Sequence, residues 1–316
     1  MRRTRSALRT VTTAVAALAL TASLGTAAQA DTYTWDASGY GWRVIENGHQ
    51  YTSPFGTHAV QGSSATPEKA FSVAHLQLGG GRGVLGYPTS TSTYDDIEQL
   101  LFETAGYSGV GQYQQFERGV IYGLDAERTD GTPVVNTSVV RGGTSPFRSV
   151  HAATGGGTGA LGYPLGNEVR QASGYWYQPF LGGQIYVSPR GAFPVDSRWG
   201  GFDYTQRGGG TSDIGYPVGN LQIQGLDHAY QRFERGIMYT SLGCWGCDTG
   251  LVGWAVKGGF LEAHAARGGG TGSLGYPKGN EFFDTTTRTW SQVFERGRIH
   301  IGPAGTRYEM GVFWEL

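Results

Sequence analysis

Rows of β-branched and aromatic residues occur in pairs along this chain, and a short polar turn containing glycine separates the members of each pair. The clearest examples are QQFERGVIY at 114–122, QRFERGIMY at 231–239 and SQVFERGRIH at 291–300. A weaker copy is QPFLGGQIY at 178–186, and WRVIENGHQY at 42–51 carries the Asn-Gly turn that is typical of hairpins. The pattern predicts a strand–turn–strand hairpin at each of these places.

A second pattern, of aromatic and histidine rings four residues apart, precedes four runs of glycine. The rings are Phe71 and His75, Phe147 and His151, and Phe260 and His264, with Tyr204 at the histidine position of the remaining run. This spacing places both rings on one face of a helix. A run of glycines then ends the helix. The sequence therefore predicts a short helix before each glycine run.

The glycine runs open a ten-residue block, GGGxxxxGYP, that occurs four times. The copies are GGGRGVLGYP at 79–88, GGGTGALGYP at 155–164, GGGTSDIGYP at 208–217 and GGGTGSLGYP at 268–277. Such self-similarity indicates tandem repeats, each consisting of a helix, a Gly-rich loop and a hairpin. We interpret the block as a joint, and we expect function to lie in residues that differ between units.

The two ends of the chain also resemble each other. HIGPAGTRYEMG at 300–311 matches YTSPFGTHAVQG at 51–62 in the positions of proline, Gly-Thr and the last glycine. We therefore expect the termini to combine. The predicted fold class is an α+β tandem repeat, with helix–Gly-rich loop–β-hairpin units in a closed, propeller-like ring of four complete units plus a fifth built from both termini. The alternative is an open stack of repeats. Such a stack normally carries polar capping repeats, and the sequence shows none.

The first thirty residues have the pattern of an export signal. An apolar stretch from Val11 to about Leu24 follows four arginines and precedes the small-residue site Ala28-Gln29-Ala30. We predict a cleaved signal peptide at 1–30, a single repeat domain at 31–316, and a secreted protein that is associated with the cell wall. No second apolar run is long enough to span a bilayer.

Composition and charge narrow the class of partner. Removal of the signal takes away four arginines and no acid from 24 Lys+Arg and 25 Asp+Glu, so the mature net charge is about −5. This balance argues against a non-specific nucleic-acid binder, which needs a basic field.

The chain has 54 glycines but is also 13% aromatic, whereas disordered segments are poor in aromatics. Packed strands joined by tight turns explain both the high glycine content and the high aromatic content.

These motifs together resemble the LGFP repeat family of exported actinobacterial proteins, over nearly all of residues 42–311. The family pattern is a Gly-Gly helix end, Leu-Gly-Phe-Pro, an acid a few residues later, and a Phe-Glu-x-Gly hairpin. Two features depart from it. Tyrosine replaces phenylalanine in all four blocks, and the acid is present as Glu168 and Glu281 but replaced by Ser92 and Leu221. The resemblance implies a module that holds cell-wall enzymes at wall polysaccharide.

No motif of a common catalytic class is present. The chain has no G-x-S-x-G elbow and no HExxH, and its glycine runs lack the ending of a phosphate loop. The FERG motif contributes one carboxylate per unit, whereas glycosidases use two carboxylates roughly 5–10 Å apart. We expect its glutamate to accept backbone N–H bonds and its arginine to face solvent. The pairs are Glu117–Arg118, Glu234–Arg235 and Glu295–Arg296.

Histidine and cysteine offer two further kinds of site. A metal ring of His75, His151 and His264 would need ligands that converge within a few ångströms, whereas a core position repeated once per unit also explains Tyr204. We predict the core role, with no metal and no cofactor. Cys244 and Cys247 form a CxxC in an exported chain, which favours a small disulfide loop. Free or redox-active thiols are the alternative.

Aromatic residues outside the repeated motifs are the candidate ligand-binding residues, because rings stack on the apolar faces of sugars while polar groups bind the hydroxyls. The candidates are Tyr175, Trp176, Tyr177, Trp199, Trp245, Trp254 and Trp290. The alternative for each is a place in the core. The insertion at 91–111 is either a unit-specific site or a solvated loop, and its acidic residues are Asp95, Asp96, Glu98 and Glu103.

These observations predict a secreted, non-catalytic repeat module that binds cell-wall polysaccharide in aromatic-lined grooves between units. One alternative is a secreted hydrolase or esterase acting on wall material, with carboxylates from the 91–111 insertion. Another is a protein-binding scaffold with no glycan role. The sequence indicates no particular oligomeric state.

Overall fold

The computed structural model of the 316-residue chain describes residues 34–35, 39–61, 70–96, 107–128, 130–225, 227–242 and 251–312. The predicted signal peptide lies outside these residues, as do the two cysteines, Trp245 and the middle of the 91–111 insertion. In the part of the chain described, every helix is too short or too polar to cross a lipid bilayer.

The described strands form five separate four-stranded antiparallel sheets, and the strands of each sheet pair in the order in which they occur in the sequence. The first sheet consists of β1 (Thr34–Trp35), β2 (Gly41–Ile45), β3 (Gly48–Ser53) and β4 (Gly56–Gln61). The second consists of β5 (Thr93–Asp96), β6 (Tyr107–Phe116), β7 (Gly119–Arg128) and β8 (Pro133–Arg141). The third consists of β9 (Val169–Arg170), β10 (Trp176–Phe180), β11 (Gly183–Ser188) and β12 (Gly191–Asp196). The fourth consists of β13 (Gln222–Ile223), β14 (His228–Phe233), β15 (Gly236–Leu242) and β16 (Leu251–Lys257), and the fifth of β17 (Phe282–Asp284), β18 (Thr289–Phe294), β19 (Gly297–Gly302) and β20 (Gly305–Met310).

The predicted hairpins are the two central strands of each sheet, so this part of the prediction is confirmed. The outer strands were not predicted. The first strand of each sheet is only two to four residues long, which is too short to show alternation. The fourth strand pairs along the third, and the fourth strands differ in sequence except that β4 and β20 share the Gly-Thr of the two matching chain ends.

The predicted fold class is wrong. The described residues are mostly β, and the five sheets are separate rather than joined in a closed propeller-like ring. No fifth unit is built from both termini, because β1–β4 all come from the N-terminal part of the chain and β17–β20 all come from the C-terminal part. Residues 51–61 and 300–310 of the matching segments lie on equivalent hairpins, β3–β4 and β19–β20. They are duplicates rather than complementary halves.

Four short helices connect consecutive sheets at the predicted places. They are α1 (Phe71–Gln77), α2 (Phe147–Ala153), α3 (Gly201–Gln206) and α4 (Gly258–Ala265). The first glycine of each block follows the helix in the left-handed conformation, with φ between 90° and 100° at all four positions. Glycine adopts this conformation without the cost that a Cβ imposes, so the predicted helix ends are confirmed.

The hydrophobic core lies at the four junctions between consecutive sheets. Each cluster takes side chains from one sheet, the following helix, the block and the next sheet. The apolar residue of each block is fully buried there, as Leu85, Leu161, Ile214 or Leu274. The block proline then forms a β-bridge with the phenylalanine of the next hairpin, as in Pro88 and Phe116. The block is therefore a joint, as predicted.

The FERG residues hold the block against the hairpin. The Glu117 carboxylate accepts the backbone N–H of Tyr87 at 3.1 Å, and Glu234 accepts that of Tyr216 at 3.2 Å. The predicted role of the glutamate is thus confirmed. The arginine does more than face solvent, because Arg118 Nε donates to the carbonyl of Val84 at 3.0 Å. Arg235 and Arg296 make the equivalent bonds to Asp213 and Ser273.

A buried glutamine joins each sheet to the one before it. Gln178 Nε2 donates to the carbonyl of Val139 in the preceding sheet and to that of Gly166, both at 2.9 Å. Gln114, Gln231 and Gln292 make the same pair of bonds at the other junctions. Arg43 takes the glutamine position in the first sheet, which has no preceding sheet among the described residues, and it bonds Gln50.

The acid that follows the block pairs with a base at the end of the preceding sheet. Glu168 contacts Arg141 at 3.0 Å, and Glu281 contacts Lys257. These bases lie opposite the hairpin glycine in the strand register. The two units without the acid also lack the base, because Gln61 and Asp196 stand at its position. The acid is therefore one half of an ion pair between units.

Candidate functional site

A cross-strand pair of aromatic rings lies on one face of each of the first four sheets. The pairs are Trp42 with Tyr51, Tyr113 with Tyr122, Tyr177 with Tyr186, and Tyr230 with Tyr239. The ring centroids of the three tyrosine pairs are 5.9–6.0 Å apart. The block tyrosine stands edge-on to the second ring of each pair, with centroids 5.2–6.0 Å apart. A ring cluster therefore recurs at every junction.

Three of these clusters open into grooves. Groove 1, of about 410 Å³, is lined by Tyr40, Trp42, Tyr51, Leu76, Tyr87, Arg82 and Gly79–Gly81. Groove 2, of about 350 Å³, is lined by Asp95, Tyr113, Tyr122, Arg148, His151 and the glycines of the second block. Groove 3, of about 570 Å³, is lined by Ser173, Tyr175, Arg190, Gly210, Thr211, Tyr216, Glu234 and Arg235.

Glycines of the block form one wall of every groove because a side chain there would strike the block tyrosine. A Cβ at Gly81 would lie 2.6 Å from a ring carbon of Tyr87, and one at Gly210 would lie 2.4 Å from Tyr216. Such distances are far below van der Waals contact. The block therefore supplies glycine backbone to every groove, and its tyrosine lines grooves 1 and 3.

The hydroxyl of the block tyrosine explains why tyrosine replaces phenylalanine. Tyr163 Oη donates to Asp95 Oδ2 at 2.7 Å. Tyr216 and Tyr276 bond the side chains of Gln171 and Gln224 in the same way. Burial, with the nearby Asp95 carboxylate as a second cause, raises the pKa of Tyr163. The hydroxyl of Tyr163 therefore stays a proton donor, and these three bonds join the block to the beginning of the preceding sheet.

Replacement of Tyr163 by phenylalanine removes this bond from a site where the ring is fully buried. We expect Y163F to lower the free energy of unfolding by about 2 kcal/mol, because hydrogen bonds to charged groups contribute roughly 1.5–3 kcal/mol. Urea denaturation measures the change. Y94F is the matched control, since Tyr94 is the neighbour of Asp95 and 63% exposed. Equal stability of the two variants would contradict the assignment.

The repeated histidines bond the block rather than converging on a metal. His75 Nε2 donates to the carbonyl of Gly86 at 2.8 Å, and His151 and His264 bond Gly162 and Gly275 in the same way. Tyr204 Oη makes the equivalent bond to Gly215 at 2.7 Å. Within the described ranges, no three His, Cys, Asp or Glu side chains are grouped to hold a metal ion.

The predicted ligand-binding aromatics do not share one site. Tyr175 lines groove 3, and its ring lies edge-on to Tyr216 with centroids 4.8 Å apart. Tyr177 stacks on Tyr186, whereas Trp176 packs into the core on the opposite face of β10.

The other candidate tryptophans that the structure describes lie apart from grooves 1–3. Trp199 lies in a 3₁₀ turn, Ser197–Trp199. Trp290 lies on β18 and is 46% exposed beside Phe283.

Trp254 lines a separate groove of about 430 Å³ beside Asp203, Arg207, Asn280 and Glu281. Three polar side chains of this groove already have protein partners. Asp203 accepts the Gly253 N–H at 2.8 Å, Arg207 bonds Asn280, and Glu281 pairs with Lys257. Such a groove is held together by its own ion pairs, and fewer polar groups remain for a ligand.

The fifth sheet carries polar residues where the other sheets have rings and valine. Ser291 and His300 occupy the positions of the cross-strand ring pair, with Ser291 Oγ 2.8 Å from His300 Nδ1. His300 Nε2 lies 3.1 Å from Glu309, which stands where Val140 and Val256 stand in other sheets. The order resembles a nucleophile, base and acid. Ser291, however, is only 4% exposed and lines none of the grooves above.

The carboxylates of the 91–111 insertion, on which a hydrolase would depend, are not brought together in the described residues. Asp95 bonds Tyr163 at the edge of groove 2. Glu98 and Glu103 and the side chain of Asp96 lie outside the described part of the chain.

One family model matches the part of the chain that contains the third sheet. The sequence model of the LGFP repeat matches residues 161–209. This stretch begins at the Leu-Gly-Tyr-Pro of one block, covers the whole third sheet and α3, and ends in the glycines of the next block. The chain carries an LGFP repeat. The other LGFP-like units repeat the same order of block, four strands and helix. LGFP repeats are associated with extracellular proteins, and the match indicates an extracellular repeat protein.

No curated protein matches the sequence. Among solved structures, one similar chain is described as the extracellular domain of a hybrid two component system, BT4673, from B. thetaiotaomicron. The two share 8% identity and a TM-score of 0.17 over 90% of this chain. The chain spans 43% of the length of that structure.

Proposed function

We propose that this protein binds cell-wall polysaccharide through grooves 1–3 and does so without catalysis. The observation that carries the proposal is the recurrence of one kind of groove at three successive junctions. Each groove combines tyrosine rings, backbone of the block that includes at least one glycine, and at least one arginine. Aromatic rings supply apolar faces against which sugars stack, and the few polar groups orient the hydroxyls.

The size of the grooves supports a ligand of a few sugar residues. Their volumes, about 350–570 Å³, lie within the range of roughly 300–1,000 Å³ that is usual for small-ligand sites. All three are open to solvent, as a site for part of a long polymer must be. Closed pockets would instead suit an isolated small molecule.

Repetition of the groove suits a polymer of repeating sugars. Once one groove is occupied, the next segment of the same chain is held at a high effective concentration near a second groove. Weak individual sites therefore give firm attachment to an insoluble wall. The extracellular association of the LGFP repeat supports this setting.

Loss of a groove ring tests the proposal. We expect Trp42→Ala and Tyr175→Ala each to weaken binding of the chain to purified insoluble wall polysaccharide about fivefold, because aromatic contacts contribute roughly 0.5–1.5 kcal/mol beyond their area. Trp42 is 38% exposed in groove 1. Cosedimentation with the polysaccharide gives the affinity, and thermal melting confirms that each variant is folded.

Trp290→Ala is the matched control, because Trp290 is similarly exposed but lies outside grooves 1–3. Absence of wall binding, or an equal loss in the control, would refute the proposal. Release of soluble fragments over time would instead favour a hydrolase or esterase. Binding that depends on a protein component of the wall fraction would favour the scaffold.

A further inference from the structure

The linings of grooves 1–3 have a charge opposite to that of the chain. The whole sequence has 24 Lys+Arg and 25 Asp+Glu. The groove linings contain four arginines, which are Arg82, Arg148, Arg190 and Arg235, and only two carboxylates, Asp95 and Glu234. Positive side chains are therefore concentrated at the grooves of a chain that is otherwise slightly acidic.

Both carboxylates are already occupied by donors of the protein. Asp95 accepts the Tyr163 hydroxyl at 2.7 Å. Glu234 accepts the Tyr216 N–H at 3.2 Å and lies 3.6 Å from Arg235 Nη1. Their negative charge is thus partly compensated within the fold, and it opposes an incoming anion less than a free carboxylate would.

The lining of groove 3 includes the guanidinium of Arg190. Arg190 lies in the turn between β11 and β12 and is exposed. Its backbone N–H bonds Ser188 at 3.2 Å, which fixes the turn. Its side chain makes no hydrogen bond or ion pair with any residue that the structure describes. Arg235 lines the same groove, and two of its nitrogens hold carbonyls of the third block.

We propose that groove 3 binds an anionic sugar, in which a carboxylate or a phosphate group meets Arg190 while the sugar ring lies against Tyr175. A guanidinium presents a fork of donors that matches the paired oxygens of either group. Arg235, held rigidly by the block, adds positive charge to the same groove. The inference rests on the proposed function and specifies the class of polymer.

The test compares polymers of defined charge with the full chain. Affinity electrophoresis at low salt measures binding to polygalacturonate, which carries carboxylates, to poly(glycerol phosphate), which carries phosphodiesters, and to neutral dextran. We expect at least tenfold tighter binding to one or both anionic polymers than to dextran. Binding should weaken as salt rises, because salt screens exposed charges. The two anionic arms show whether carboxylate or phosphate is preferred.

Arg190→Gln should weaken binding to the anionic polymer about fivefold, and Arg190→Lys, which keeps the charge but not the fork, should weaken it less. Arg307→Gln is the control, because Arg307 is exposed on β20 outside the grooves. Equal binding of dextran and the anionic polymers, or equal effects of R190Q and R307Q, overturns the inference. If the chain still binds wall polysaccharide in that case, the proposed function stands. If it binds neither, both fail.

Discussion

Acidification from pH 7 to pH 4 will destabilise this fold through its junction histidines. His75 is fully buried, and its Nε2–H donates to Gly86, while its Nδ1 has no partner in the described part of the chain. Burial lowers the pKa of His75 from 6.5 to about 4. Burial also lowers the pKa of His151 and of His264. All three rings are therefore neutral in the folded state at pH 7.

The direction of the effect follows from the proton balance. Because the pKa of His75 is lower in the folded than in the unfolded chain, the unfolded chain binds more protons between pH 6.5 and pH 4. The stability present above pH 6.5 is lost as the pH falls through this window. A shift of this size corresponds to about 3 kcal/mol for His75. The other two histidines act in the same direction.

Urea denaturation at pH 7, 5.5 and 4 measures the loss. His75→Gln keeps a donor for Gly86 but cannot be protonated, so its disadvantage relative to the natural protein should shrink as the pH falls. Tyr204 shows that this position accepts another donor. His58→Gln, on β4, is the control for loss of a histidine elsewhere in the fold. Parallel curves for H75Q and the natural protein would show that His75 is not the titrating group.

Gly83→Ala should be among the most damaging single-methyl additions in the chain. A Cβ at Gly83 would lie 1.8 Å from the carbonyl oxygen of Leu78 and 2.6 Å from the Cα of Gly79. Both obstacles are backbone, so no side-chain rotation relieves them. We expect a loss of roughly 3 kcal/mol in the free energy of unfolding, because the turn between helix and block must shift. Thermal or urea denaturation measures it.

The third block, 208–217, shows what such a shift involves. Ser212 stands at the position of Gly83 there, and the bond that joins Val84 N–H to the Leu78 carbonyl at 2.9 Å has no counterpart among the backbone bonds of that turn. Gly219→Ala is the control, because its Cβ would meet nothing within 4 Å. We expect this variant to stay within about 0.5 kcal/mol of the natural protein. A similarly mild effect of G83A would mean that the turn relaxes freely.

Local patterns in the sequence were sufficient for the hairpins and the helices. The turn glycines and alternating apolar residues of 114–122 predict β6 and β7, and the four-residue spacing of Phe71 and His75 predicts α1. Each feature depends on residues close together in the chain. The roles of Glu117 and His75 were also predictable, because a polar group repeated at a core position must have a partner.

The ring was mispredicted because similar segments at the two ends of the chain are compatible with either of two arrangements. The segments at 51–62 and 300–311 match as duplicates or as halves of one unit, and sequence similarity does not distinguish these. Strand pairing decided the question, since β4 pairs with β3 and β20 with β19. The short first strands complete each sheet independently.

The candidate site was predicted only in part. Tyr175 lies in groove 3, but Trp199, Trp254 and Trp290 lie apart from grooves 1–3. The tyrosine in every block is the sequence feature that indicates these contacts. A hydroxyl on a buried ring needs a partner, and for Tyr163, Tyr216 and Tyr276 that partner lies on the first strand of the preceding sheet or directly after it.

The sequence by itself determined the repeated unit, its hairpins, its helix ends and its LGFP character, because these depend on short-range geometry and on glycine where a Cβ does not fit. The tertiary structure alone decided that the units form separate four-stranded sheets, and that block glycines, strand tyrosines and arginines from distant positions line common grooves. Arg190 and Arg235 are 45 residues apart in the chain. Only the packing of one sheet against the next block brings their side chains into the same groove. Residue patterns along the chain do not show which distant residues become neighbours in space.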